Sequence, residues 1–90
     1  MDERYLLKLD AFELFMKNPI HELKQEISKA RAYVFSVRNR PFKYPSQQRE
    51  YDFQYNRWKA LELVEQLKSE RITKEEFDAK VFVDKGRPND

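Results

Sequence analysis

With 90 residues, one Gly, four Pro and no Cys, the chain has room for one domain with a thin core and excludes a disulfide framework, a thiolate metal site and a cysteine nucleophile. Hydrophobic residues make up 40% and charged residues 38%, enough for one core behind long solvated faces, with too few chain breakers for a sandwich or barrel. The net charge of +2 is unevenly spread: residues 31–59 hold seven Lys/Arg against two Asp/Glu, while the flanking segments are slightly acidic.

The expected class is all-α: a small bundle of three long helices (about 2–17, 19–38 and 47–70) plus a short C-terminal helix (about 74–82). Residues 1–83 read as a single helical domain and 84–90, with Gly86 and Pro88, as a flexible polar tail. No apolar run approaches the roughly 20 residues that span a bilayer. The opening MDERYLLKLD is acidic where a signal peptide is basic. A cytoplasmic protein without a membrane partner is expected.

In the first predicted helix, Tyr5, Leu9, Phe12 and Met16 fall on one face, with Phe15 at its edge, and Leu7, Ala11 and Leu14 fall opposite. A helix apolar on two sides belongs at the centre of a core or in an oligomer interface. Asn18-Pro19 then supplies an N-cap and a first helical residue for the second helix. From there Ile20, Leu23, Ile27, Ala30, Val34 and Val37 form a heptad seam, suited to packing inside a bundle and equally the face through which a homodimer would form. Arg38, Asn39 and Arg40 end this helix before Pro41.

The connector PFKYP, residues 41–45, carries two rings, Phe42 and Tyr44, that are large for a solvated loop. In the third predicted helix Ala60, Val64 and Leu67 share a face with Phe53, while Tyr51, Tyr55 and Trp58 lie about 180° away. That aromatic strip needs cover from the connector, from the first helix or from a partner. Thr73 and Glu76 form a capping box for the last helix, with Ile72 placed to staple against Phe77.

The stretch LELVEQLKSERITKEEFDAK, residues 61–80, resembles the SHOCT-type short C-terminal helical hairpin. Leu63 and Leu67, then Ile72, Thr73, Glu75, Glu76, Phe77, Ala79 and Lys80, match that pattern, and the usual turn glycine is replaced by Ser69-Glu70-Arg71. The resemblance implies oligomerisation or partner contact rather than chemistry. It covers less than a quarter of the chain, and residues 1–60 resemble no family.

Catalytic constellations are not legible. His21 is the one histidine, next to Glu22 in a first helical turn, without an orienting partner or a pocket. The carboxylates Glu62 and Glu65, and Glu75, Glu76 and Asp78, have local helical reasons to be where they are. Phosphate-cradling loops, calcium loops and nucleophile elbows are absent. A non-enzyme with no cofactor and no metal is expected.

Three roles fit these residues. The first is an interaction or regulatory domain binding a protein partner through Phe42, Tyr44, Tyr51, Tyr55, Arg57, Trp58 and Lys59, with Tyr55 and Trp58 as anchors, Trp58 buried, and Arg57 and Lys59 at the rim. The alternative is nucleic-acid binding by the basic middle, with Arg31, Arg38, Arg40, Lys43, Arg49, Arg57 and Lys59 on phosphates and nearby rings on bases. The third is a structural homo-oligomer joined through Ile20, Leu23, Ile27, Ala30, Val34 and Val37.

Overall fold

A computed structural model describes residues 4–84, so of the expected tail 84–90 only Asp84 is described, and it is the last residue of a strand rather than tail. Two short segments from opposite ends of the chain, β1 (Tyr5–Lys8) and β2 (Val81–Asp84), pair as a two-stranded parallel sheet. Tyr5 stands opposite Val81 and Lys8 opposite Asp84. Between them run α1 (Leu9–Lys17), α2 (Ile20–Val37), α3 (Pro45–Lys68) and α4 (Lys74–Lys80). The fold is mostly helical, with this small sheet added. No helix among the described residues is long and apolar enough to cross a membrane.

Two of the predicted helices are corrected. The first begins at Leu9, not near Asp2, because Tyr5–Lys8 is extended, so one of the three long helices is a nine-residue element. The last ends at Lys80, because Val81, Phe82 and Val83 continue as strand. Valine and phenylalanine favour a pleated surface, and the two segments complete each other's backbone pairing. The strand also accounts for the two-sided pattern. Leu7 is buried from β1 and Phe15 from α1, so the apolar residues of the two elements need not share one helical face.

The remaining boundaries have local causes. Asn18 closes α1, its N–H donating to the Phe15 carbonyl at 3.2 Å, and does not cap α2 with its side chain. The extended Pro19 takes that place, and its carbonyl accepts from Glu22 and Leu23. Helix α3 opens at Pro45, whose missing N–H costs nothing in a first turn. The Gln47 side-chain oxygen accepts from the backbone N–H groups of Lys43 and Tyr44. The capping box of α4 forms as expected, with Glu76 N–H on Thr73 Oγ1 at 3.1 Å and Thr73 N–H on Glu76 Oε1 at 2.9 Å.

Helix α3 is the spine. Its Ala60, Leu61 and Val64 have no exposed surface, and they pack with Leu23 of α2, Phe15 of α1, Leu7 of β1, Phe77 of α4 and Val81 of β2. At about 36 Å, α3 is far longer than α1 at about 14 Å, so the other layer covers only its C-terminal half. The N-terminal half meets α2, the connector at Tyr51 and β1 at Tyr55, and among the described residues no element covers Phe53. Phe53, expected in the core stripe with Ala60 and Val64, is consequently 56% exposed.

The turn into α4 explains how the chain manages without a glycine. Arg71 N–H reaches the Gln66 carbonyl and Glu70 N–H the Leu67 carbonyl, the paired bonds that close a helix with a left-handed residue after its cap. Glu70 supplies that residue at φ 60°. Arg71 then binds both oxygens of Glu65, at 2.5 and 2.6 Å, and Ser69 Oγ donates to the same carboxylate at 3.1 Å. Glu65 is 7% exposed, and this pairing compensates its buried charge. A side chain with a Cβ is disfavoured at positive φ, so Glu70→Gly should stabilise the fold by about 0.5–1 kcal/mol, read as a higher urea midpoint. A lower midpoint would show that the Glu70 side chain contributes more than its backbone costs.

A candidate interaction face on α2 and α3

The aromatic strip of α3 lies on the flank of the α2–α3 pair, and three different elements cover it. Phe42 of the connector packs on Tyr51 with ring centroids 5.5 Å apart. Tyr5 of β1 packs on Tyr55 at 6.3 Å, and Phe35 of α2 meets Trp58 edge-on at 5.6 Å. Within the strip Tyr51 and Tyr55 are 6.3 Å apart, and Tyr55 meets Trp58 edge-on at 5.7 Å. The result is one continuous row, Phe42–Tyr51–Tyr55–Trp58–Phe35, with Tyr5 as a side branch.

The row is covered at its edges but not enclosed. Tyr5, Phe42, Tyr51, Tyr55 and Trp58 are half-buried, and Phe35 is 43% exposed. Trp58, expected to be buried, is held at the surface instead: its indole N–H donates to Glu62 Oε2 at 2.8 Å. Indole has one polar atom, and its partner here lies one turn along the same solvent-facing side of α3.

Cations sit directly on these rings. The Arg31 and Arg38 guanidinium carbons lie 5.1 and 5.2 Å from the centre of Phe35, and Lys59 Nζ lies 4.7 Å from the centre of Trp58. Such contacts stabilise by about 0.5–1 kcal/mol each at exposed sites, and they fix where the positive charge is displayed. Lys59 is also 3.6 Å from Glu62, the acid that holds Trp58. Local bonds therefore preset the face, with apolar rings at the centre and Arg31, Arg38 and Lys59 around them.

Other residues singled out in the sequence lie elsewhere. Arg57 is not at the rim of this face. It turns to the other side of the helix pair, 3.2 Å from Glu26 and over the ring of Phe15 at 5.6 Å. Tyr44 is 63% exposed, without a ring neighbour among the described residues. Arg49 lies about 160° round α3 from Tyr51 at 100° per residue. Arg40 and Lys43 are exposed in the connector. The basic middle of the chain is thus not one stripe: Arg31, Arg38 and Lys59 share the aromatic face, and Arg40, Lys43, Arg49 and Arg57 do not. The heptad seam is used within the chain, with Leu23, Ala30 and Val34 buried and Ile20, Ile27 and Val37 half-buried along the side of α2 that meets α3.

Sequence reasoning missed Phe35 and Tyr5. Arg31, Phe35 and Arg38 at i, i+4 and i+7 form a legible basic-aromatic ridge on α2. Tyr5 gave no comparable signal, because its place depends on a strand pairing that spans the whole chain. A search of family models, of curated proteins and of solved structures finds no match to this chain.

Proposed function

We propose that this is a non-enzymatic interaction or regulatory domain of the cytoplasm that binds a protein partner through the row Phe42, Tyr51, Tyr55, Trp58 and Phe35. The observation that carries the reading is the row itself, a set of half-exposed rings ringed by Arg31, Arg38 and Lys59. Aromatic and arginine side chains are the types that dominate interface energies, and rings already fixed in place lose little freedom on binding. The matching partner presents acidic side chains around an apolar centre. The resemblance of residues 61–80 to a partner-binding hairpin favours the same kind of role.

The arrangement suits a protein better than a nucleic acid. Base stacking needs open ring faces, whereas cations lie over Phe35 and Trp58 and the rings meet one another edge-on or tilted. The cations able to track a phosphate backbone are divided between different sides of the domain. The test is affinity capture from a lysate, with and without nuclease, comparing the wild type with Arg31→Glu/Arg38→Glu. A protein retained after nuclease and lost in the charge-reversed variant is the expected result. Loss of all bound protein on nuclease treatment would replace this reading with nucleic-acid binding.

A further inference from the structure

Beside the aromatic row a cleft of about 320 Å³ opens where α3 meets β1 and the end of α4. Its polar lining consists of Arg4, Tyr5, Lys59, Glu62, Gln66 and Lys80. The charge in it is unbalanced. Among the described residues Glu62 is its single acid and is engaged twice, with Trp58 Nε1 on one oxygen and Lys59 3.6 Å from the other. Arg4 is held in place without meeting a carboxylate among the described residues: it donates to the Val81 carbonyl at 3.3 Å and lies over the Phe82 ring at 5.1 Å. Among the described residues Lys80 has no acidic partner.

We infer that this cleft binds a phosphate monoester, with Arg4 and Lys80 as its charge partners and the Tyr5 hydroxyl and Gln66 amide as neutral donors. Two cations without acids match a group that carries about −1.5 to −2 near neutral pH, whereas a carboxylate would answer only one of them. Guanidinium and ammonium groups both pair with phosphate oxygens, the first in a fixed fork and the second as a point charge. The two anchors on Arg4 hold that fork before any ligand arrives. A cleft of this volume is larger than the phosphate group alone, leaving room for the molecule that carries it.

The site adjoins the partner face and shares Tyr5 and Lys59 with its edge, whereas Arg4, Gln66 and Lys80 are not members of the aromatic row. The test is a titration of isotope-labelled protein with O-phosphoserine, followed by NMR, with serine and sodium chloride at matched ionic strength as controls. Saturable shifts confined to Tyr5, Lys59, Gln66 and Lys80 are expected below about 20 mM, and removing one charge should weaken the affinity about tenfold. Arg4→Gln also loses a bond to β2, so the exposed Lys80→Gln is the decisive variant, and it should leave partner capture unchanged. AMP run in parallel distinguishes a nucleotide from a phosphorylated side chain as the source of the group. Equal shifts with chloride, no localised shift, or full affinity in Lys80→Gln would each overturn the site.

Discussion

Phe77→Ala should lower stability by about 3–5 kcal/mol, the usual cost of emptying a fully buried phenylalanine site. Phe77 has no exposed surface, and its ring lies 5.3 Å from Phe12 of α1. The consequences extend beyond a local void. Helix α4 has seven residues, too few to persist without tertiary contacts, and Phe77 and Val81 are the buried side chains that bind α4 and β2 to the rest. Releasing them leaves β1 without its paired strand and exposes Leu7. A domain of this size holds about 5–10 kcal/mol in total, so the substitution removes a large share of it. Urea denaturation followed by circular dichroism should show a midpoint far below that of the wild type. A loss under about 1 kcal/mol would mean that the end of the chain is held by something other than this core.

The two halves of the fold differ in how plainly the sequence announces them. Helices α2 and α3 and the cap of α4 were legible because each rests on local rules: a heptad seam after Pro19, the helical spacing of Ala60, Val64 and Leu67, and Thr73 answered by Glu76 three residues later. The sheet was not legible. Tyr5, Leu9, Phe12 and Met16 satisfy helical spacing as well as any helix does, and the segment that draws Tyr5–Lys8 into a strand lies near the other end of the chain. A pattern confined to one window cannot register a pairing of that range. The turn at Glu70 shows the same limit in reverse. Its missing glycine looked like a departure from a hairpin pattern, yet Glu70 takes the left-handed conformation.

The face was legible in part for related reasons. The opposition of Tyr51, Tyr55 and Trp58 to the core stripe followed from helix geometry, and the structure keeps them together. What covers them required three long-range neighbours, Phe42, Tyr5 and Phe35. Arg57 was misplaced because it directly precedes Trp58 in sequence but stands 100° away from it on the helix, enough to send it to Glu26. Phe53 fell from the core because helical spacing does not reveal where the covering layer stops.

Removing the two rings that meet across the helix pair, Phe35→Ala with Trp58→Ala, should weaken partner binding at least about 100-fold. Central aromatic residues of an interface contribute about 2 kcal/mol or more each when truncated, and coupled pairs fall short of additivity. The change also removes the ring surfaces that hold Arg31, Arg38 and Lys59 in place, so attraction for acidic groups declines with apolar contact. The fold should tolerate it, since neither side chain belongs to the buried core cluster.

Phe53 provides the matched control. It is a ring of the same exposed kind on the same helix, beside an apolar groove with Leu6 and Ala11 on the other side of the domain. The most direct measurement is therefore the dissociation constant of the captured partner for three folded proteins: wild type, the Phe35→Ala/Trp58→Ala variant, and Phe53→Ala. The account predicts a loss of about 100-fold or more for the double variant and a change within about twofold for Phe53→Ala. An unchanged constant in the double variant, or a larger loss at Phe53, would contradict it and move the binding surface to the opposite side of the molecule.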